Sequence, residues 1–372
     1  MKAKSLYVAA TNQHVGKTTS TLGLVSVLKQ QGINIGYCKP VGQRFLDLDN
    51  MRVDKDTLLF ADLLGFEIVP SWHSPVILGP GATTSFIDDP SNFHYDKDIE
   101  AAAQYLTEHH EYVIYEGTGH PGVGSIVDLS NADVAKAVDA AVIMIVEGGI
   151  GNTIDRLNVS IALFREQRIP ILGVIVNKVN PEKMEKIRDY VGRKLKQMGM
   201  PLLGCLPYDE RLAHPMMRSI NKAVSGSVIF NIDHMEGQVE DIMAGSLIDA
   251  NRLKASKNIL LVVGADRLNN AIHKVDLLSQ VNDLPESPLA GIVATGEGTL
   301  DEQTTNYIEK HKVPTIRTHL DTFGSVIKIS RIEVKINRHT PWKIKRAIEL
   351  IRENVDLDRI LDSMEIRKVQ AK

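Results

Sequence analysis

Residues 7–32 read YVAATNQHVGKTTSTLGLVSVLKQQG, and this stretch decides the fold. It starts with small and apolar residues typical of a buried strand, passes through a polar loop and opens a helical pattern at Gly16-Lys17-Thr18. Such a triplet occurs by chance in about one chain in five of this length, so its placement matters more than its presence. A loop between a buried strand and a helix start points backbone N–H groups at an anion. The stretch predicts a phosphate-binding loop, and an ordinary strand-to-helix turn is the alternative.

The residues of this loop are the first candidate ligands. Lys17 would reach the β- and γ-phosphates of a nucleotide, and the hydroxyl of Thr18 would ligate Mg²⁺. The strict loop pattern has a glycine where Thr11 stands. The nucleotide-binding residues predicted here are Thr11, Asn12, His14, Val15, Gly16, Lys17, Thr18 and Thr19.

Size and composition limit the other possibilities. The chain has 372 residues, of which 43% are hydrophobic and 24% charged, as in a globular protein of two or three domains. A net charge of −3 gives no support for nucleic-acid or anionic-membrane partners, and no apolar run is long enough to span a bilayer. The N-terminus fits a first strand better than a signal peptide. Two cysteines far apart fit a cytoplasmic protein without a disulfide framework.

The first two hundred residues alternate short apolar runs with helical patterns. Helices are predicted to start near Lys17, Asp54, Asp96, Asn152 and Pro181. This order indicates an α/β fold with a doubly wound, mostly parallel sheet of the P-loop NTPase type. The predicted strands are SLYVAA, NIGYCKP, YVIYEG, AAVIMIVEG, ILGVIVNKV and PLLGCLP.

A second, smaller α/β alternation follows. Its predicted strands lie in NILLVVGADR, LAGIVATGEG, VPTIRT and VIKIS, and the helical segment TPWKIKRAIELIREN comes after them. We therefore predict a nucleotide-binding domain over 1–225, a smaller α/β domain over 226–355 and a helical tail over 356–372.

Two acidic positions are candidates for a metal site. Glu116 ends a predicted buried strand beside flexible glycine turns, which is where a carboxylate contact to Mg²⁺ is expected. Asp54 and Asp56 begin a predicted helix. Acidic residues favour helix N-termini for dipole reasons alone, and Asp54 fits that simpler role.

The motifs ATNQHVGKTT, YCKPVGQ, RVDKDTLLFADLLG and YVIYEG resemble dethiobiotin synthetase. The resemblance implies that Lys39 adds a second positive charge beside Lys17 for phosphoryl transfer, which makes these two lysines the catalytic candidates. A solvated strand-end lysine is the alternative for Lys39. It also implies that Asp56 binds magnesium together with Thr18 and Glu116.

The segment GVIVNKVN is similar to the base-recognition strand end of GTPases, Asn-Lys-x-Asp. Asn180 replaces the aspartate that would accept hydrogen bonds from two guanine donors, so ATP is favoured over GTP. The dethiobiotin synthetase resemblance implies that Asn177 binds the adenine edge and that Pro207 packs beside the base. Pro207 also fits a plain strand terminator.

The C-terminal half resembles a DRTGG domain. The motifs of this domain are present in part as Asp266-Arg267, Thr295-Gly296 and Asp321-Thr322-Phe323. Glu297 stands in place of the last glycine in the motif letters DRTGG. This order of domains is similar to the N-terminal regulatory half of long phosphotransacetylases, here expected as a stand-alone version. It implies a homo-oligomer whose second domain takes a small anionic or nucleotide effector; a purely structural second domain is the alternative.

Three functions follow from these features. The first is a Mg-ATP-binding protein that hydrolyses ATP slowly or regulates a partner in a nucleotide-dependent way. The second is an ATP-dependent carboxylase or ligase of the dethiobiotin synthetase or cobyrinic acid amidase type. The loop GTGHPGVGS and Val76 after Pro75 depart from the substrate side of dethiobiotin synthetase. The third is a non-catalytic nucleotide-sensing scaffold.

Overall fold

The chain folds into two compact units. Residues within Met1–Asp209 and Ile336–Lys372 form the first, and residues within Glu210–Lys335 form the second. The computed structural model describes residues 4–48, 51–245, 248–255, 257–332, 334 and 336–363.

The first unit is built on a parallel sheet. Six of its strands pair in the order β10–β9–β8–β1–β7–β2, while β3 pairs with β6 and β4 with β5 in two small sheets. Strand β1 is buried along its whole length, as a central strand covered on both faces must be. The strands described in this unit are β1 (Ser5–Ala10), β2 (Ile35–Cys38), β3 (Val41–Gly42), β4 (Phe45–Leu48), β5 (Met51–Asp54), β6 (Val76–Ile77), β7 (Tyr112–Glu116), β8 (Ala140–Glu147), β9 (Ile171–Val179) and β10 (Leu202–Pro207).

Helices connect these strands. The strand order reverses beside β1, and at such a point the loops at the carboxyl ends diverge and open a crevice. The predicted nucleotide site belongs to this edge of the sheet. The helices up to β10 are α1 (Lys17–Gln30), α2 (Lys55–Leu64), α3 (Pro70–His73), α4 (Ala82–Asp88), α5 (Tyr95–His109), α6 (Asn131–Ala137), α7 (Gly151–Glu166) and α8 (Met184–Gln197).

The second unit is a smaller α/β body. Its sheet has the order β11–β15–β14–β13–β12, in which only β11 pairs in the antiparallel direction among the described strands. The architecture confirms the predicted class, a mostly parallel doubly wound sheet followed by a smaller α/β region. Its elements are α9 (Glu210–Ala213), α10 (Met217–Val224), β11 (Ser227–Phe230), β12 (Asp241–Ala244), α11 (Ala250–Ala255), β13 (Ile259–Gly264), α12 (Leu268–Val281), β14 (Leu289–Thr295), α13 (Glu302–Lys310), β15 (Thr315–Thr318) and α14 (Thr322–Ser330).

The last two helices return to the first unit. Helix α15 (Pro341–Asn354) packs against α1, and α16 (Leu357–Ser363) follows it. The backbone after α15 also contacts the first unit: the N–H of Asp356 donates to the carbonyl of Leu203 in β10 at 2.7 Å. These units divide the chain at 209/210 where the sequence predicts 225/226, and residues 336–355 pack with the first unit. The domain bounds stay a prediction.

The predicted tail over 356–372 is described only in part. Its described portion contains α16, and residues 364–372 lie outside the described residues. In the part of the chain that the structure describes, no helix combines the length and the apolar character needed to cross a membrane.

Candidate functional site

The loop after β1 is shaped for close approach to a ligand. Gly16 precedes α1 with a left-handed φ of 98°, and a Cβ at this position would collide with the carboxamide nitrogen of Asn177. The first turn of α1 contains no acidic residue, and its N-cap has no side chain to occupy the N–H groups. The N-terminus of α1 thus presents its backbone donors and positive dipole end without an acidic residue of its own first turn.

Strand β9 supports the loop from the side. The carboxamide of Asn177 donates to the carbonyl of Val15 at 2.8 Å and accepts from the N–H of Lys178 at 2.8 Å. The ammonium of Lys178 donates to the carbonyl of His14 at 2.6 Å. Asn177, proposed from the sequence to read adenine, therefore contacts the phosphate loop itself, and its contact with a base remains a prediction.

Lys17 and Thr18 face the end of β7. The ammonium of Lys17 donates to the carbonyl of Gly119 at 2.9 Å, and the hydroxyl of Thr18 donates to Oε1 of Glu116 at 2.7 Å. Residues from two separate parts of the sequence thus meet at one sheet edge, as their positions at neighbouring strand ends predict.

Lys39 is buried and paired with both candidate carboxylates. Its ammonium lies 2.5 Å from Oδ2 of Asp56 and 3.2 Å from Oε1 of Glu116. Only 5% of the residue is exposed, which excludes the solvated lysine that the sequence left open. Burial lowers the pKa of this ammonium, but Asp56 and Glu116 outweigh the burial and hold the pKa well above its ordinary value. Lys39 is therefore a permanent positive charge in the site.

Asp54 has the simpler of its two predicted roles. Its side chain caps α2 by accepting the N–H of Asp56 at 2.9 Å, and burial raises its pKa. Asp56, in the first turn of α2, is thereby aimed toward Lys39. The backbone N–H of Lys39 donates to the carbonyl of His73 at 2.9 Å, which fixes the lysine main chain.

Asn131 is a site residue that the sequence analysis missed. It begins α6 and is 3% exposed. Its Oδ1 accepts the hydroxyl of Tyr7 at 2.9 Å and the N–H of Thr118 at 3.1 Å, and its Nδ2 donates to the carbonyl of His120 at 2.9 Å. It therefore holds the turn that supplies Gly119 to Lys17. The one sequence signal is the helix cap Ser-Asn-Ala-Asp directly around it.

The sequence similarity agrees with this geometry. A family model described as an AAA domain matches residues 4–216, which is more than half of the chain. The chain belongs to this AAA domain family. The match contains the loop, both lysines and both carboxylates, so the whole candidate site lies within the AAA domain.

Individual relatives match different lengths of the chain. The phosphate acetyltransferase of Synechocystis sp. is 21% identical over 367 residues, covering 96% of this chain and 51% of that enzyme. The ATP-dependent dethiobiotin synthetase of Clostridium kluyveri is 28% identical over 209 residues, covering 55% of this chain and 86% of that enzyme. The chain thus spans about half the length of the phosphate acetyltransferases that it matches. The MinD cell division protein of Aquifex aeolicus superposes with a TM-score of 0.37 at 13% identity, covering 57% of this chain and 85% of MinD.

The donor set in the AAA domain fits a magnesium ion. Two carboxylates, Asp56 and Glu116, and the hydroxyl of Thr18 are hard oxygen ligands, and Mg²⁺ commonly completes its shell with water and phosphate oxygens. Among the described residues, no group of three or more His, Cys, Asp and Glu side chains could hold a metal by itself. The set therefore fits a metal that binds together with a nucleotide better than a permanent metal centre.

The remaining predicted residues of the AAA domain have local contacts that do not tie them to Lys39 or the carboxylates. Thr11 follows β1, and its N–H donates to the carbonyl of Ile145 at 3.1 Å. Asn12 is exposed and accepts the N–H of Gln13, while Thr19 is half-buried in α1. Pro207 is the last residue of β10, which fits both the base-packing and the strand-ending roles.

In the second unit, the DRTGG-like residues lie at the carboxyl ends of strands. The side chains of Asp266 and Arg267 are 3.8 Å apart and exposed, in line with the pairing considered from sequence. The hydroxyls of Thr295 and Thr322 are 3.1 Å apart. A groove of about 570 Å³ lies elsewhere in this unit and is lined by Asp276 of α12 and by mostly polar residues in and beside α13.

Proposed function

We propose that the AAA domain binds ATP with Mg²⁺ and that the protein is a slow ATP hydrolase or a nucleotide-dependent regulator. The observation that carries this proposal is the meeting of two ammonium groups, a helix N-terminus and the Thr18–Glu116 pair at one edge of the sheet. An anionic, metal-bearing ligand matches every one of these groups.

Each residue has a role in this proposal. Lys17, bonded here to a backbone carbonyl, would exchange that carbonyl for the β- and γ-phosphate oxygens. Thr18, Asp56 and Glu116 would hold Mg²⁺, which supplies charge neutralisation to the phosphates when bound. Lys39 would add its charge at the γ-phosphate, where negative charge grows during transfer.

The regulatory half of the proposal rests on similarity along the chain. The match to phosphate acetyltransferase continues through the second unit, beyond the AAA domain. We propose that the second unit is a DRTGG-type domain that binds a small anionic or nucleotide effector or joins copies of the chain in a homo-oligomer. The turns at Asp266 and Thr295 are the places where such an effector would bind.

An ATP-dependent carboxylase or ligase is the second candidate. A small cavity of about 70 Å³ adjoins the loop at Thr11. It is lined by Glu147 and Gly148 at the end of β8 and by Asn152 and Arg156 of α7. A cationic side chain and a helix N-terminus suit a carboxylate-bearing substrate, and the similarity to dethiobiotin synthetase supports the same reading. A nucleotide-sensing scaffold without turnover is the third candidate.

Phosphate release separates the three. Release from Mg-ATP alone supports the hydrolase, and release only after an amine and bicarbonate are added supports the ligase. ATP binding without release under either condition supports the scaffold.

Lys17→Ala tests the binding site common to all three. We expect it to abolish the rise in melting temperature that Mg-ATP causes, because the ammonium that contacts the phosphates is lost. Lys186→Ala removes an exposed lysine on α8 and serves as the control that keeps the rise. An unchanged rise in Lys17→Ala would contradict the assigned phosphate site.

A further inference from the structure

The ammonium of Lys39 lies on the same oxygens that the proposed function assigns to Mg²⁺. It contacts Oδ2 of Asp56 at 2.5 Å and Oε1 of Glu116 at 3.2 Å. The same Oε1 of Glu116 also accepts the hydroxyl of Thr18, the third expected metal ligand, at 2.7 Å. The three donors of the metal set thus converge around a cation that the chain itself provides.

This position competes with a metal ion for the same atoms. Mg²⁺ binds oxygen at about 2.1 Å and needs near-octahedral geometry. An ammonium on both carboxylates blocks their inward oxygens. The side chains of Lys39 and Glu116 are 7% and 0% exposed, so water would screen the repulsion between ammonium and metal weakly. A metal ion at these oxygens is therefore disfavoured as long as the ammonium stays in place.

The main chain of Lys39 is held more firmly than its side chain. Its backbone N–H is bonded to the carbonyl of His73, and Pro40 follows it. Tyr37, two residues earlier, is stacked on Phe60 at 3.7 Å and donates its hydroxyl to Glu116 at 3.4 Å. The main chain and the carboxylate are therefore held in place, while the flexible four-carbon stem allows the ammonium to rotate away.

We propose that Lys39 is a specificity residue of the metal site, whose ammonium keeps free divalent cations off Asp56 and Glu116. The ammonium moves away from these carboxylates when the metal binds together with a nucleotide, because it can then pair with the phosphates instead. Metal binding thereby becomes conditional on nucleotide binding. This inference rests on the proposed function.

The test is a titration with Mn²⁺ alone, followed by electron paramagnetic resonance, in the wild-type full chain and in Lys39→Met. Removing a like charge at this distance should tighten Mn²⁺ binding by roughly tenfold or more. Lys55→Met is the matched control, since it removes the same charge from an exposed side chain next to Asp56 in sequence. We expect its Mn²⁺ affinity to stay at the wild-type value.

Two further variants keep the test valid if Lys39→Met does not fold. Lys39→Gln removes the charge but keeps hydrogen-bond donors for the carboxylates, and it should also bind Mn²⁺ more tightly. Lys39→Arg keeps the charge and should bind Mn²⁺ as weakly as wild type. Equal Mn²⁺ affinities in all folded variants, or equal gains in Lys39→Met and Lys55→Met, would overturn the proposed exchange of the Lys39 ammonium for the metal.

Mg-ATP binding to the wild-type protein is measured in parallel by calorimetry. If the wild type binds Mg-ATP and neutral Lys39 variants gain no Mn²⁺ affinity, the exchange is wrong and the proposed function stands. If the wild type binds no Mg-ATP, the proposed function is wrong, and the exchange falls with it.

Discussion

Asn131 uses both ends of its carboxamide to hold the turn after β7. Four backbone atoms of that turn form hydrogen bonds of 3.1 Å or shorter with Asn131. The carboxamide oxygen accepts the N–H of Thr118, and the carboxamide nitrogen donates to the carbonyls of Thr118 and His120. The backbone N–H of Asn131 donates to the carbonyl of Pro121. Gly117 fits beside it because any Cβ there would collide with its oxygen. A buried amide with this many partners fixes one loop conformation rather than several.

We predict that Asn131→Ala lowers the free energy of unfolding by about 2 to 4 kcal/mol, since it leaves several buried groups without partners. Mg-ATP binding should weaken as well, because the turn that carries Gly119 beside Lys17 loses its support. Chemical denaturation and calorimetry measure the two effects. Tyr7→Phe removes only one hydrogen bond to Asn131 and should cost about 1 kcal/mol with little loss of nucleotide affinity. Equal effects from both variants would contradict a positioning role for Asn131.

The sequence predicted which candidate residues lie at one sheet edge better than it predicted the contacts among them. The meeting of Lys17, Thr18 and Glu116 was predictable because they lie at or after the carboxyl ends of β1 and β7, which are neighbours in the sheet. The pairing of Lys39 with two carboxylates depends on side-chain burial, which the local sequence does not show. Asn131 was missed for a related reason: apart from the hydroxyl of Tyr7, its partners named here are backbone groups of a turn, and backbone groups have no sequence signature.

At the level of elements, apolar runs predicted the central strands of the two large sheets. They failed where a helix cap competes with β-propensity. The run VIKIS was predicted as a strand but lies in α14, because Asp321 caps the helix and accepts the N–H of Gly324 at 2.6 Å. The hairpin of β4 and β5 was also missed, because the polar residues in these two strands interrupt the alternation of apolar and polar residues that indicates a strand.

The packing of α15 on α1 gives a prediction at the same scale. A Cβ at Gly23 of α1 would collide with Ile351 and lie 2.8 Å from the carbonyl of Ala347. Gly23→Ala should therefore destabilise the protein by about 1 to 3 kcal/mol, although alanine is the better helix former. Gly192→Ala in α8 is the control, because its Cβ would meet Leu202 at an ordinary 3.5 Å. It should be neutral or stabilising by up to about 1 kcal/mol in thermal unfolding. Destabilisation of similar size in both variants would contradict this packing argument.

Across the whole molecule, the first unit is discontinuous in sequence. The chain leaves it after Asp209 and returns at Ile336, and an ion pair between Asp209 and Arg346 joins the two segments. The sequence could not predict this return, because the amphipathic pattern of α15 says that one face is buried but not what covers it. The domain prediction assigned α15 to the nearer sheet in sequence for that reason.

The discontinuity predicts that a chain ended after residue 335 has a damaged nucleotide site, although every predicted site residue remains. Helix α15 buries Ala347, Leu350 and Ile351 in the first unit, and losing them should cost about 5 kcal/mol or more. Because α1 carries the phosphate loop at its N-terminus, the thermal shift caused by Mg-ATP should shrink with the loss of α15. Co-expressing residues 336–372 as a separate polypeptide should restore both stability and the shift. A truncated protein that melts and binds Mg-ATP like the full chain would instead favour a self-contained domain over 1–225, as the sequence first indicated.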